Sequence, residues 1–405
     1  MGQIYEQAVL SLAAAASARA SDGLFRRRNV TAMEDTFVLN SLENSSSAVI
    51  KICKKNPQVP EDECPLYTRG WVTQEQFNAN RIVHFTSIEV FWQCESLTYA
   101  SETYPDGLRD GLELYDEAIL DWVPQRKQTS QAYSLHNLWT GVIFDYSNRA
   151  LTNQVDRLIA VSGIASVLQS RYGDIYLAGL WASYLSFQLS WFRGAVATQF
   201  YTAPSWSWAS TIGRVQFTYG SGQGLTPETT TLIELVEYDI KTPPGGDLLG
   251  QVTYGLLRLS CFLMTVSFRG KMRTESSKIS LNGEWIKERS NDLYLSFDPW
   301  AQEAYPGGFD SEHVHFMPLV CELATQRKTD IRYVKGILMV PNSSHQGQFR
   351  RVGFMHIESQ SQRKEEPPVS FPFNIDFGNW GIVKNEAWLQ FERVHPDGKY
   401  IISII

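Results

Sequence analysis

The chain has 405 residues, 43% hydrophobic and 20% charged, with a formal net charge of −7 at pH 7. This length and ordinary globular composition predict two or three packing units. Nonspecific nucleic-acid binding needs a basic surface, so the negative charge indicates that nucleic acid is not a partner.

The cysteines and the apolar runs restrict the class further. The five cysteines are an odd number, and no two of them have C-x-x-C spacing. We therefore expect reduced thiols rather than a disulfide scaffold or a zinc site. No run of about 18 apolar residues occurs, and the apolar start "AVLSLAAAASARA" has no Lys or Arg before it, as a signal peptide would. We expect a cytoplasmic protein that does not cross a membrane.

The N-terminal part of the chain carries mainly helical patterns. Helical spacing and an alanine run predict a helix over residues 1–20. "WVTQEQF" (71–77) predicts a second helix, and "RIVHF" (81–85) and "IEVFWQC" (88–94) predict the strands after it. Residues 133–200 are predicted to be helical, because their apolar side chains recur at helical spacing.

The pattern changes after Pro204. "LLRLSCFL" (256–263) alternates apolar and polar positions, and "YIISII" (400–405) is one of several further strand patterns. The predicted class is α+β, with a mainly helical N-terminal half packed on a β-rich, mostly antiparallel C-terminal half. Residues 31–200 are expected to form the mixed, mainly helical region and residues 201–405 the β-rich region.

A search for catalytic motifs finds little. "GSGQG" (220–224) lacks the lysine and the strand–loop–helix setting of a phosphate-binding loop, and no G-x-S-x-G elbow is present. His313 and His315 share one face of a predicted strand, but no third metal ligand is evident. We interpret both as strand residues on a solvated face.

One set of polar residues stands out among aromatic side chains. Such an Arg–Glu network can orient a polar or anionic ligand, or it can fix a helix to a two-stranded unit. We favour the structural pairing, and orientation of a ligand is the alternative. The set, which contains the candidate catalytic residues, is Arg69, Glu75, Arg81, His84 and Glu95.

An acidic segment provides the candidate metal ligands. Helical spacing puts several carboxylates on one face, where they could hold Mg²⁺ if they lined a cavity. The apolar positions between them are typical of an amphipathic helix whose acidic side meets water, and this is our interpretation. We expect no metal and no cofactor. The carboxylates are Asp110, Glu113, Glu117 and Asp121.

The stretch "YTAPSWSWAS" (201–210) places two tryptophans two residues apart among small side chains. On a strand that Pro204 opens, Trp206 and Trp208 would point to one face. An exposed aromatic platform for a ligand is the alternative. We predict a strand whose indoles lie in the core between the helical and β-rich halves.

Several segments together resemble the fungal heterokaryon-incompatibility (HET) domain proteins. The resemblance covers about residues 1–215 and implies that residues 1–30 are the end of a HET-type domain. The matching positions that we treat as structural signature residues are Trp71, Asp156, Arg157, Pro204, Trp206 and Trp208. The segments, in the family's order, are "MGQIYEQAVLSLAAAASA", "RGWVTQEQFNANRIVHF…FWQC", "YSNRALTNQVDRLIAVSGIA", "GDIYLAGLW" and "YTAPSWSWAS".

The family's L-S-Y-x-W-G and W-I-D-x-x-C-I-x-Q segments do not occur in this sequence. The resemblance therefore implies an N-terminally shortened member of the family, or a truncated gene model whose true protein begins upstream. HET domains are considered related to TIR domains, some of which cleave NAD, but the match places no such role on any residue here. The resemblance implies non-self recognition and incompatibility through an unknown protein partner. The alternative is a fungal secondary-metabolite enzyme that holds a hydrophobic small molecule in an aromatic-lined pocket.

Overall fold

The structure is a computed structural model whose described parts form two compact units. Unit 1 comprises residues 1–132 and 149–151, and unit 2 comprises residues 133–148 and 152–405. The described residues are 2–27, 37–41, 48–52, 64–94, 100–102, 135–218, 229–269, 278–281, 284–285, 293–305, 314–326, 329–342, 345–362, 391–394 and 399–405.

Unit 1 combines two helices with a small sheet and a separate hairpin. Its elements in chain order are α1 (Gly2–Gln7), β1 (Ser11–Ala13), a 3-10 turn (Ala20–Asp22), β2 (Phe37–Ser41), β3 (Ala48–Ile52), a 3-10 turn (Pro65–Thr68), α2 (Gly70–Asn78), β4 (Arg81–Phe85), β5 (Val90–Cys94) and β6 (Ala100–Ser101).

The sheet of unit 1 has the order β1-β4-β5-β6, and β2 pairs with β3 apart from it. Strand β1 runs parallel to β4, while β4, β5 and β6 are antiparallel. Helix α2 lies in the connection between the two parallel strands, as a parallel pair requires.

The predicted helix α2 and strands β4 and β5 are confirmed. The helix predicted over residues 1–20 is wrong beyond Gln7, because pairing with β4 overrides the helical propensity of the alanines.

Unit 2 begins with helices and short strands. These are α3 (Leu135–Ser147), a 3-10 turn (Gln154–Asp156), α4 (Ile159–Tyr172), β7 (Tyr176–Leu177), β8 (Leu180–Trp181), a 3-10 turn (Ala182–Tyr184), α5 (Leu185–Gln188), β9 (Trp191–Arg193), β10 (Val196–Ala197), a 3-10 turn (Trp208–Ser210), β11 (Thr211–Ile212) and β12 (Val215–Phe217).

The helical prediction for residues 133–200 holds for α3, α4 and the short α5, and it fails for strands β7 to β10. Strands β7 and β8 form a hairpin whose two loop residues, Ala178 and Gly179, have φ values of 42° and 104°. Two-residue hairpin loops need positive φ, and glycine reaches it without strain. The "AG" of this segment therefore makes a turn, although the apolar residues around it have helical spacing.

The remaining strands belong to one twelve-stranded sheet. They are β13 (Thr229–Thr231), β14 (Glu234–Lys241), β15 (Tyr254–Cys261), β16 (Met264–Arg269), β17 (Lys278–Leu281), β18 (Glu284–Trp285), β19 (Leu293–Phe297), β20 (Val314–Gln326), β21 (Thr329–Pro341), β22 (Gln348–Gln362), β23 (Arg393–Val394) and β24 (Tyr400–Ile404), with helix α6 (Pro299–Ala304) after β19.

The main path of this sheet is β14-β15-β24-β22-β21-β20-β16-β17-β18. All its pairings are antiparallel except that of β22 with β24. Strand β15 buries Leu257, Leu259 and Cys261, as the alternation predicts. The long strands β20, β21 and β22 carry much of the unit's hydrophobic core. The α+β class, with antiparallel sheets mostly in the C-terminal half, is confirmed.

The two tryptophans of "SWSW" are core residues, but they do not lie on a strand. Both are 0% exposed. Trp208 begins a 3-10 turn, and the Ser207 hydroxyl caps it by accepting from Ala209 N–H. The strand prediction is wrong because this local serine–backbone hydrogen bond favours a turn over a ladder.

Candidate functional site

Two of the candidate residues meet at the start of helix α2. Arg69 is the N-cap residue and is exposed, and Glu75 is half-buried one turn and a half further on. The hydroxyl of Tyr5, on α1, donates a hydrogen bond to Glu75. Burial raises the pKa of Glu75, while this hydrogen bond and Arg69 oppose the change. Burial and the charge of Glu75 raise the pKa of Tyr5 to about 12. The group ties α1 to α2.

His84 lies apart from that group, inside a buried polar chain. Its Nδ1 accepts from the Tyr67 hydroxyl, and its Nε2 donates to Gln93 Oε1 at 2.9 Å. Burial lowers the pKa of His84 from 6.5 to about 4, against the opposing effect of Gln93. A neutral imidazole has one donor and one acceptor, so both of its nitrogens are satisfied. His84 therefore connects the Pro65–Thr68 turn to the sheet.

The other candidates do not join either group. Arg81 is exposed, on the opposite face of β4 from His84, and its Nη1 lies 3.5 Å from the carbonyl oxygen of Val9. Glu95, His313 and the acidic residues at 110, 113, 117 and 121 lie outside the described residues. His315 is fully buried against the Phe349 ring, so the interpretation of a solvated face is wrong for it.

We expect a pH-dependent loss of stability in unit 1 from His84. Between pH 6.5 and 4, the unfolded chain binds a proton at this histidine that the folded chain excludes, so stability falls as the pH falls. The loss from this one group amounts to about 2–3 kcal/mol by pH 4.5. Hydrogen–deuterium exchange of β4, at pH 7 and at pH 4.5 with correction for intrinsic rates, measures it.

The control for this prediction is His84→Gln, which keeps hydrogen-bonding groups but does not titrate. Its β4 protection should change less between the two pH values than that of the wild type, because the other titrating groups cancel in the comparison. Equal changes in the two proteins would contradict the prediction.

A polar cluster that the sequence analysis did not identify lies on one face of β20, β21 and β22. The register places Glu322, Tyr333 and Glu358 side by side, with Lys335 and His356 in the neighbouring row. Lys335 Nζ lies 3.0 Å from Glu322 Oε2. Burial lowers the pKa of Lys335 and lowers that of His356 to about 4. Five titratable residues on three strands become adjacent only through the register, so no local motif reveals them.

Unit 1 also exposes large apolar side chains near the edge strand β1. The exposed fractions are 81% for Val9, 57% for Leu12 and 70% for Ile4. Leu10 and Phe25 are exposed as well. We call these five residues the β1 apolar surface. Single exposed apolar residues are ordinary, whereas contiguous groups of them are typical of contact surfaces.

All the signature residues are among the described residues, in both units. Trp71 is half-buried in α2, and Asp156 ends the 3-10 turn before α4. Arg157, which follows it, is 2% exposed. Pro204 is buried beside the two tryptophans.

Comparison with known proteins supports the family resemblance for the N-terminal segment. The model of the family described as heterokaryon incompatibility protein (HET) matches residues 1–75. The match covers less than a fifth of the chain, and it shows that this segment is similar to part of a HET domain, which supports the resemblance to the heterokaryon-incompatibility family. No curated protein and no solved structure gives a significant match. The matched residues include β1, the β1 apolar surface and the first part of α2.

The described ranges contain neither a membrane-spanning helix nor a group of metal-binding side chains. Among these residues, no helix has the length and apolar character needed to cross a membrane. The same residues contain no group of three or more His, Cys, Asp or Glu side chains placed to hold a metal ion.

Proposed function

We propose that this chain is a cytoplasmic protein of fungal non-self recognition and incompatibility, which acts by binding another protein through the β1 apolar surface. The family match to residues 1–75 supports the class of protein. The observation that carries the mode of action is the exposure of Val9, Leu12 and Ile4 within that matched segment.

The position of this surface favours a protein as its partner. Strand β1 is at the edge of its sheet and has one strand neighbour, β4, in the described part of unit 1. An edge strand can add a further strand from another chain, with apolar side chains packing beside the backbone hydrogen bonds. Burying a side chain as exposed as Val9 or Leu12 contributes about 1.5–3 kcal/mol.

Within unit 1, the distribution of charge among the candidate residues supports binding over catalysis. An active site needs charged groups that converge on one substrate atom. The described candidates instead divide between the Tyr5–Glu75 contact, the buried His84 and the exposed Arg81. These positions favour the interpretation in which polar residues fix a helix to strands.

A growth assay tests the proposal. The chain would be expressed in fungal strains of different incompatibility backgrounds, and cell death would be scored after fusion of the strains. We expect the wild type to cause death in some pairings and Val9→Asp/Leu12→Asp to cause none. The matched control is Leu248→Asp, which replaces an apolar residue 60% exposed in unit 2 and should act like the wild type.

Circular dichroism of the purified double variant must first show the wild-type fold, because an unfolded variant would also be inactive. A folded double variant that still kills would contradict the role of the β1 apolar surface. Absence of death in every pairing, for a protein that is expressed and folded, would contradict the incompatibility function itself.

A further inference from the structure

Three signature segments of unit 2 meet around one carbonyl group. Trp208 Nε1, from "SWSW", and Trp139 Nε1, from α3, donate to Gly179 O at 2.7 Å and 2.8 Å. Gly179 belongs to "GDIYLAGLW". The guanidinium carbon of Arg157, from "VDRL", lies 5.7 Å from the centre of the Trp208 ring. Tyr146 packs edge-to-face on Trp208, and its hydroxyl donates to Arg157 O at 2.7 Å.

The Arg157 guanidinium is buried without a charged partner in the part of the chain that the structure describes. The side chain is 2% exposed, and no described acceptor bonds to Nε or Nη2. These two nitrogens lie on the same edge of the planar group, the edge that binds two oxygens of a carboxylate or phosphate in parallel. Burial lowers the pKa of Arg157, and Tyr146 opposes this. The edge of the guanidinium that can bind two oxygens in parallel therefore makes no hydrogen bond with any described residue.

Other hydrogen-bond donors in the same aromatic cluster are also unsatisfied. Tyr176 and Trp181 both pack edge-to-face on Trp139, with ring centres 5.6 Å and 5.7 Å away. The Tyr176 hydroxyl and Trp181 Nε1 are buried and form no hydrogen bond with any described residue. The cluster therefore has an excess of donors, which is the composition that an acceptor with several oxygens would satisfy.

An unpaired buried charge destabilises the fold, because transferring an ion from water to the protein interior costs several kcal/mol. Only a group that pairs or hydrogen-bonds with the ion offsets this cost. The contrast with Arg351 in the same unit is direct, because that buried guanidinium lies 3.3 Å from an Asp298 oxygen and also donates to two carbonyls. A purely structural role for Arg157 would be filled at lower cost by an apolar side chain of the same volume.

We propose that unit 2 binds a small oxyanion, a carboxylate or phosphate group, on the Nε–Nη2 edge of Arg157 beside the Trp208 ring. Entry requires movement, because both nitrogens are buried. Arg157 directly follows the 3-10 turn Gln154–Asp156, which has no buried residue, so we expect this turn to move when the anion enters.

Thermal unfolding of the purified full-length chain tests the site. Inorganic phosphate and acetate would be titrated separately, with chloride at matched ionic strength as the control, because chloride has a single acceptor atom and cannot make two parallel hydrogen bonds as a carboxylate or phosphate can. We expect phosphate, acetate or both to raise the Tm of the wild type more than chloride does, and more than they raise the Tm of Arg157→Met, because phosphate also stabilises proteins without binding a site. The anion that raises the Tm shows whether the site takes a phosphate group or a carboxylate group.

Arg157→Met is the decisive variant, because it keeps the length and apolar stem of the side chain. It should be at least as stable as the wild type without the anion, and calorimetry should show a loss of affinity of about thirtyfold or more for the anion that binds. Arg171→Met, which removes an exposed guanidinium, should retain wild-type binding.

Two results would overturn the proposal. One is a wild-type Tm that responds to phosphate and acetate no more than to chloride. The other is an Arg157→Met protein that is strongly destabilised without any anion, since that would assign the guanidinium a structural role. Neither result bears on the β1 apolar surface, which lies in unit 1.

Discussion

Replacing Arg351 with methionine is expected to lower the free energy of unfolding of unit 2 by about 3–5 kcal/mol. Arg351 is 0% exposed, and its guanidinium carbon lies 3.4 Å from the centre of the Trp191 ring. It donates to Leu189 O and Trp191 O, and Nε lies 3.3 Å from Asp298 Oδ2. The variant leaves a buried carboxylate without its cation, which is the costly way to break such a pair.

The deficit should also depend on pH. Burial raises the pKa of Asp298 to about 6 even with Arg351 opposing it, and without Arg351 the pKa will be higher. A carboxyl whose folded-state pKa is raised loses stability as the pH rises through that value. Urea unfolding at pH 5 and at pH 8 should therefore show a smaller deficit at pH 5.

Two further variants separate the ion pair from the packing. The double variant Asp298→Asn/Arg351→Met should recover part of the loss, because no charge then remains buried. Arg258→Met removes a surface pair with Glu392 and Glu237 and should cost about 1 kcal/mol or less. A single Arg351→Met variant as stable as the wild type at pH 8 would contradict the assignment.

Gly179→Ala is expected to destabilise unit 2 by about 3 kcal/mol or more, for two reasons that add. Gly179 has φ = 104°, a conformation that an alanine adopts only with strain. Its Cβ would lie 2.7 Å from Trp208 Nε1 and 3.1 Å from Ser207 Oγ. Neither neighbour can withdraw easily, because Trp208 is fully buried and Ser207 donates to Ala178 O.

The matched control is Gly173→Ala, at the C-terminus of helix α4. Gly173 also has positive φ, 69°, but nothing lies within 4 Å of its Cβ position. This variant should cost only about 1 kcal/mol, the price of the backbone conformation alone. Urea unfolding monitored by tryptophan fluorescence compares the two, and equal losses would show that contact with Trp208 is unimportant.

The sequence predicts those parts of the fold that depend on local pattern. The strand pair β4–β5 and the strand β15 were predicted because alternation along a strand follows directly from burial on one face. The sequence does not predict the hairpin β7–β8, because the apolar residues there have helical spacing. The turn forms because its two loop residues adopt positive φ. Strand β1 was missed because its partner β4 is about 70 residues away.

The candidate sites depended still more on distant contacts. Sequence proximity in a polar region grouped His84 with Arg81, but alternation along β4 puts them on opposite faces. The sequence "VDRL" does not reveal that Nε and Nη2 of Arg157 have no acceptor. That property depends on where the rest of unit 2 places its hydrogen-bond acceptors. The register of β20, β21 and β22 likewise creates a charged cluster from residues that are far apart in sequence.

Strand β24 is an interior strand of the large sheet, with β15 on one side and β22 on the other, although it is synthesised after every other described strand of that sheet. During translation, the edge of β15 that pairs with β24 stays unpaired until β24 leaves the ribosome, as do Gln348 and Phe349 at the start of β22. The last residues of unit 1 are 149–151, so this unit can fold much earlier. Premature termination that removes β24 should therefore leave unit 1 folded and unit 2 prone to aggregation through its open strand edges.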